Sequence, residues 1–369
     1  MTNNDRTSRQ RPRLRIGVDA HAIGELATGN ERFIANVVRE MRAMCDHEMI
    51  LFFTSAEAAG AWPADERTQV RLLRPTNSLM RVPLVMGRAA RREQLDVMLV
   101  QYTAPRSPGC PVVSVVHDVS FAEHPEWFST LERLWMPRTI PATIHRAAHI
   151  VTVSEFSRSE IQRIYGIAAD RITVAHDGVD PVLTRAREPL EAPPYFLYVG
   201  NLEPRKNLEV LLEAFGDMRA RYPQVRERLL IAGRPRRGSA SHRSYEAVHF
   251  LGRVRDDELA GLMQHATALC YPSKYEGFGL PPIEAMAVGT PALVSDIPVM
   301  RETVGDAGVL LPPTDARAWA EAMAKVAAEP GYRDQLSAGG KQRASMFAWS
   351  QTARIVLNAL EATAPGGNA

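Results

Sequence analysis

The chain of 369 residues carries 44 Lys plus Arg against 42 Asp plus Glu, a formal charge of +2, with 45% hydrophobic and 23% charged residues. This balance is that of a globular protein, excludes disordered, collagenous and coiled-coil chains, and at this length suits two or three domains. No apolar run reaches the ~18–20 residues of a membrane span, no signal peptide opens the chain, and a near-zero charge speaks against bulk nucleic-acid binding. A cytoplasmic protein is expected.

In chain order, residues 1–13 read as a disordered basic tail leading into a strand at Arg15–Asp19. A glycine-bearing loop (Gly24–Asn30) and a helix from about Glu31 to Met44 follow. Cys45, Cys110 and Cys270 are odd in number and far apart, so neither a disulfide framework nor a metal clip is signalled. Apolar runs at 49–54, 97–100, 112–117, 150–153 and 172–174 read as further strands, with helical stretches between them. Between Arg67 and Arg92 lie seven arginines and no acid, interleaved with apolar residues. Such a segment can lie on an anionic membrane surface, or be the solvated face beside a core helix.

Asp180–Pro194 breaks the rhythm with four prolines and reads as a linker. Strand patterns then restart at 195–199, 229–232, 249–251, 268–271 and 292–295, each followed by a helical stretch. Continuous apolar strands alternating with helices indicate parallel sheets buried on both faces. The fold class is therefore α/β, with two Rossmann-like domains at 14–185 and 195–347 and a last helix at 348–362.

The stretch Ser273–Gly289 (SKYEGFGLPPIEAMAVG) carries the most chemistry. A strand ends, Gly277 and Gly279 open a loop, and Pro281 and Pro282 suit the first positions of a helix. Glycines let the backbone approach a ligand, and a helix N-terminus offers unpaired N–H groups to an anion. Glu276 and, eight residues on, Glu284 flank this cradle; as acceptor-only groups they suit ribose or hexose hydroxyls. Glu276 can also be an exposed loop acid, and Glu284 a dipole cap of its own helix. A second strand-to-helix turn, YVGNLEPRKNLEV, sets Arg205 and Lys206 just before a helix, where they either hold a diphosphate or form a solvated basic turn.

His117 ends the strand VVSVV, pointing into a crevice between the domains or filling the core. The GxxxxG of the first loop lacks the Lys-Ser/Thr of a P-loop, no GxGxxG occurs, and no Asp-x-Asp offers a metal clamp.

Together, EGFGLPPIEAMAVGTP, EPRKN at 203–207, HD at 117–118, HPEWF at 124–128 and SEFSRSEI at 154–161 resemble the family-4 retaining glycosyltransferases of GT-B fold. The pattern is most similar to bacterial mannosyltransferases of O-antigen and exopolysaccharide assembly. The resemblance implies two Rossmann-like domains facing an inter-domain cleft, a final helix crossing back to the N-terminal domain, and hexose transfer, with mannose from GDP-mannose, to a lipid-linked glycan. It assigns Arg205 and Lys206 to the donor diphosphate, Glu276 to the hexose, Glu284 to the ribose, and main-chain N–H groups of Phe278, Gly279 and Leu280 to phosphate oxygens. His117 would approach the sugar, Gly29 would line the diphosphate loop, and Arg253 and Val254 would touch the base. The donor is a substrate; no cofactor and no metal are implied. Peripheral contact with the cytoplasmic membrane is expected on the arginine-rich segment. A UDP-sugar donor is the alternative, followed by a nucleotide-sugar 2-epimerase and an inactive scaffold. The sequence departs from the family at TGNERF, where TGIGRY is usual, at AHDGVDP, where P-N-G-V-D is common, and at Asn201, where some relatives place an arginine.

Overall fold

The structure, a computed structural model, describes residues 13–24, 29–74, 81–185, 193–234 and 246–366. The expected basic tail, much of the first glycine-bearing loop and much of the linker fall on 1–12, 25–28 and 186–192, outside the described residues.

Among the described residues the strands are β1 (Arg15–Asp19), β2 (Glu48–Phe53), β3 (Thr68–Leu72), β4 (Val97–Gln101), β5 (Val112–Val115), β6 (His149–Thr152), β7 (Ile172–Val174), β8 (Tyr195–Val199), β9 (Arg228–Ala232), β10 (Val248–Gly252), β11 (Ala268–Tyr271), β12 (Ala292–Ser295) and β13 (Val309–Leu311). The helices are α1 (Gly29–Met44), α2 (Ala56–Ala61), α3 (Gly87–Arg92), α4 (Ser120–Glu123), α5 (Thr130–Arg146), α6 (Glu155–Tyr165), α7 (Leu208–Arg221), α8 (Asp256–His265), α9 (Leu280–Ala287), α10 (Pro298–Thr303), α11 (Ala316–Ala328), α12 (Pro330–Ala344) and α13 (Trp349–Thr363).

Two sheets result, in the orders β3-β2-β1-β4-β5-β6-β7 and β10-β9-β8-β11-β12-β13. Counted from its own first strand, the second sheet runs 3-2-1-4-5-6, the doubly wound order of nucleotide-binding α/β proteins, and the first runs the same way with a seventh strand at its edge. The chemistry of the strands explains who sits where. All five residues of β4 (VMLVQ) are buried, as a central parallel strand between two helix layers requires. The outer strands β3 and β10 are only partly buried. β3 was hidden in the arginine-rich segment, whose Arg71 is paired with Glu93 at 2.6 Å. Within that segment Val82 and Met86 are buried, so apolar residues expected to face a lipid surface lie inward.

The described residues divide into two compact units. One comprises Met1–Val115, Thr143–Val151 and Ala353–Ala369; the other comprises Val116–Ala142 and Thr152–Thr352. In the first, Glu361 near the end of α13 lies 3.1 Å from Nε2 of buried His47. His47 Nδ1 accepts from the Leu14 N–H, so the ring proton resides on Nε2 and is donated to that carboxylate. In the second, α7 and α11 pack on the sheet through Leu211, Phe215, Met218 and the fully buried Trp319.

In a doubly wound sheet ligands bind beyond the carboxyl ends of the strands, where the order reverses. In the second sheet that point lies between β8 and β11, paired in parallel through Phe196–Ala268 and Leu197–Leu269. The segments that leave those two strands are 200–207 and 272–279, the two motif-bearing turns.

Candidate functional site

The turn after β8 is a short 3-10 helix, Pro204–Lys206, ending at Asn207 with φ +55°. Asparagine is among the few side chains that enter the left-handed region readily. Its amide donates to the carbonyls of Pro272, at 3.0 Å, and Pro313, at 2.7 Å. The Lys274 N–H donates to the Arg205 carbonyl at 2.8 Å. Asn207 therefore locks the turn after β8 onto the turn after β11, and Arg205 and Lys206 project where Glu276 stands.

There the three charges meet. Lys206 Nζ lies 2.6 Å from Glu276 Oε1, and Arg205 Nη1 lies 3.1 Å from Glu276 Oε2. The Tyr271 hydroxyl sits between them, 2.7 Å from Lys206 Nζ and 2.8 Å from Glu276 Oε1. Arg205 also holds Glu203, Nε to Oε2, at 3.0 Å. Lys206 and Glu276 are 8% and 6% exposed, so the exposed-loop and solvated-turn alternatives fall away. Burial works against ionisation of Glu276, yet Lys206 and Arg205 hold its pKa down at about 2. Burial likewise draws Lys206 below the ordinary lysine range, with Glu276 pulling the other way. Arg205 is held above its usual value: burial opposes its charge, and Glu276, Glu203 and Asp118 outweigh it. Two cations are thus fixed around one largely buried carboxylate.

Two glycines bring the backbone in. A Cβ on Gly277 would lie 2.5 Å from the His117 carbonyl oxygen, so only glycine allows the approach. Gly279, at φ +93°, caps α9, where a Cβ would also meet the Met300 side chain. α9 then starts with Leu280 followed by Pro281 and Pro282, which have no N–H, so its opening turn carries the N–H groups of Leu280 and Ile283. Glu284, beyond the first turn of this helix, is buried, 1% exposed.

His117 is buried, and burial pushes its pKa down to about 3, so the ring is neutral. Its carbonyl accepts from Ser157 Oγ at 2.9 Å, and the Gly277 carbonyl accepts from Ser154 Oγ at 2.6 Å. Both serines belong to the N-terminal turn of α6, whose opening N–H groups, of Glu155 and Phe156, donate to the Glu302 carboxylate at 2.7 and 3.0 Å. His176 Nε2 lies 2.9 Å from the same carboxylate. The SEFSRSEI motif is thus a staple that sets Gly277 against His117, with Glu302 holding its far side. Asp177, beside His176, is buried with one carboxyl oxygen lacking a hydrogen bond, and burial, then Glu284, push it well above the usual carboxylate range.

Of the expected site residues, Arg205, Lys206 and Glu276 are in direct contact, Phe278, Gly279 and Leu280 continue the same turn, and His117 meets it through Gly277. Glu284 follows one helix on. Arg253 and Val254 lie in the loop after β10, the arginine exposed. Gly29, exposed at the first position of α1, belongs to the other unit, and residues 25–28 of its loop lie outside the described residues. Sequence reasoning missed Tyr271, Asn207, Glu302 and the serine staple. Tyr271 reads as one more apolar strand residue; Ser154 and Ser157 stood in a quoted motif without a role.

This packing yields a first prediction. Gly277→Ala forces a methyl against the His117 carbonyl, and overpacking of this kind costs about 1–3 kcal/mol. A lowered melting temperature with loss of transfer is the expected result; an unchanged melting curve would remove the close approach from the account.

Comparisons with known proteins agree with this arrangement. The family model described as "Glycosyltransferase Family 4" matches residues 27–183, and that described as "Glycosyl transferases group 1" matches residues 183–343. The chain is 32% identical over 271 residues to O-antigen chain mannosyltransferase B of Escherichia coli, covering 67% of this chain and 69% of that protein. It is 30% identical over 245 residues to a D-inositol 3-phosphate glycosyltransferase of Nocardioides sp., covering 58% of this chain and about half, 54%, of that relative. In fold it is similar to sucrose-phosphate synthase from Thermosynechococcus elongatus, with a TM-score of 0.73 over 94% of this chain and 98% of that one, at 18% identity. With two doubly wound sheets, a charged turn at the switch point of the second, and matches along both halves, the chain belongs to the family-4 glycosyltransferases of GT-B fold.

Proposed function

We propose that this glycosyltransferase is a retaining hexosyltransferase that moves mannose from GDP-mannose onto a lipid-linked glycan in cell-surface polysaccharide synthesis. The observation that carries the reading is the buried trio Arg205–Lys206–Glu276 beside the glycine turn. The diphosphate of an arriving donor competes with Glu276 for the two cations. As Arg205 and Lys206 turn to phosphate oxygens, the Glu276 carboxylate is released to accept hydrogen bonds from hexose hydroxyls. Main-chain N–H groups of Phe278, Gly279 and Leu280 complete the phosphate site, Glu284 takes the ribose, and the neutral ring of His117 faces the sugar.

Retention is assigned to front-face substitution through an oxocarbenium-like state. The carboxylate nearest the reaction, Glu276, is committed to cations and hydroxyls, so it is a poor nucleophile for a double displacement. The leaving diphosphate takes the acceptor's proton, and Lys206 and Arg205, rather than a metal, stabilise its charge. Mannose is favoured by the likeness to the Escherichia coli mannosyltransferase, and a UDP-sugar donor is the second reading.

Thermal-shift binding against GDP, UDP, ADP and their sugars, with and without magnesium, tests this. A ligand at 100 times its Kd stabilises by about 2.7 kcal/mol. A selective shift with GDP, independent of magnesium, is expected. A shift with UDP alone would overturn the mannose assignment, and consumption of donor without acceptor would favour the 2-epimerase. Absence of any shift would favour the inactive scaffold.

A further inference from the structure

We propose that Asp177 and Glu284 form a buried carboxyl pair with one proton, which resides on Asp177 and leaves Glu284 ionised for the ribose of the donor. Asp177 is thereby a positioning residue, a role that rests on the reading of Glu284 as the ribose ligand and adds a second acid to it. Asp177, in the segment after β7, is 5% exposed, and Glu284, in α9, is 1% exposed. One oxygen of Asp177, Oδ1, is buried without a hydrogen bond. In a dry site an ionised carboxylate with an orphaned oxygen costs far more than a neutral acid with one.

Asp177 is also held in place. Thr352 Oγ1 donates to the His176 carbonyl, and the Val179 N–H donates to the Phe347 carbonyl at 3.2 Å. Gly178 lies so close to the main chain of Ala348 and Trp349 that a Cβ there would overlap it. The backbone is pinned on both sides of the acid, so the side chain answers burial by keeping a proton rather than by turning out to water.

The neighbouring charges act in the same direction. From α9, Glu284 adds to the effect of burial in raising the pKa of Asp177. His176, on the same segment, is turned to Glu302 of α10, with Nε2 2.9 Å from Oε1 and its ring against Phe278 and Phe347. Residues 347–352 and the turn 277–279 bring no acidic or basic side chain. Two carboxyl groups sharing a low-dielectric site do not both ionise, and their protons come off as those of a pair. Asp177 stands where the common P-N-G-V-D pattern carries asparagine, and a protonated carboxyl offers an amide's combination of donor and acceptor. When the proton leaves at alkaline pH, a second negative charge faces Glu284 and nucleotide binding weakens.

Melting of the full chain without nucleotide, between about pH 5 and 9, tests the pair. The folded chain holds a proton that the unfolded chain releases, so Asp177 withdraws stability as pH rises through its raised value. Asp177→Asn, neutral at every pH, should therefore melt progressively higher than wild type as pH rises. Glu284→Gln, which removes the like charge, should weaken the wild-type trend. The infrared carbonyl band of a protonated carboxyl should be present in wild type at neutral pH and missing from Asp177→Asn. Binding of GDP, or of UDP should that be the nucleotide that shifts the chain, tests the use of the pair. In wild type it should weaken about tenfold per pH unit once Asp177 is ionised, beyond the loss that Lys206 contributes in both proteins. Asp177→Asn should lack that part, and so should wild type with the 2′,3′-dideoxy nucleotide, which has no ribose hydroxyls. Parallel melting trends in wild type and Asp177→Asn, or the same infrared band in both, would overturn the pair. A nucleotide pH profile that Asp177→Asn leaves unchanged would overturn its use at the ribose. Absence of any nucleotide shift in wild type would overturn the donor reading and the ribose role with it, while the melts and the infrared band still decide the pair.

Discussion

Lys206→Ala is expected to lower turnover by about 10²–10³-fold, the usual cost of losing one charge-stabilising donor in a dry site. The expectation follows from where Nζ is held. Its two short contacts, to Glu276 Oε1 and the Tyr271 hydroxyl, aim the ammonium into the turn rather than toward solvent. A diphosphate that displaces the carboxylate inherits that position. Alanine removes the donor and also leaves Glu276 with Arg205 as its remaining cation. Breaking a buried pair can destabilise the fold, so Lys206→Met, which keeps most of the volume, should be assayed beside it. Both variants should bind GDP more weakly in the thermal-shift assay. Near-normal turnover in either folded variant would remove Lys206 from the leaving-group role.

The reason this site could be read from sequence lies in the punctuation around it. Glycines, prolines and paired charges at the ends of two apolar runs fall where a parallel sheet delivers ligands, and adjacency of those runs needed only the doubly wound order. The strands at Tyr195–Val199, Ala268–Tyr271 and Ala292–Ser295 were legible for the same reason: each is a largely apolar run between helical stretches. β3 was not, because an edge strand with polar residues on its open side has the composition of a surface loop. β13, three residues long, lacks the length to show a period.

Partners set by tertiary contact were illegible in a different way. Tyr271 fills the end of a buried strand, and only the fold shows that its hydroxyl bridges Lys206 and Glu276. Ser154 and Ser157 read as a helix start, and Ser154 does accept from the Ser157 N–H at 3.0 Å. That their hydroxyls also grip the carbonyls of Gly277 and His117 depends on segments 123 and 40 residues apart respectively, which no local rule reaches. His117 reads in the sequence as a core residue or a crevice residue; the structure buries it in a neutral state, with its carbonyl against the glycine turn.

Glu276→Gln should give the opposite dissociation from Lys206→Ala. The carboxylate opposes an incoming diphosphate, since both compete for Arg205 Nη1 and Lys206 Nζ. Replacing it with the isosteric amide removes that competition while leaving the two cations in place. GDP should therefore bind as tightly as to wild type, or more tightly. Transfer should fall by about 10²–10³-fold, because the amide offers sugar hydroxyls one neutral acceptor where the carboxylate offers two charged oxygens. The pH dependence separates this role from proton transfer. With its pKa held at about 2, below the ordinary 4.5, Glu276 stays ionised through the neutral range. Its contribution to stability is then complete above pH 4.5 and is lost as pH falls toward 2. A rate profile between pH 5 and 8 should have the same shape in wild type and Glu276→Gln, at different heights. If the variant binds GDP normally but loses a pH limb that wild type shows, Glu276 is acting as a general base, and the hydroxyl-binding role falls.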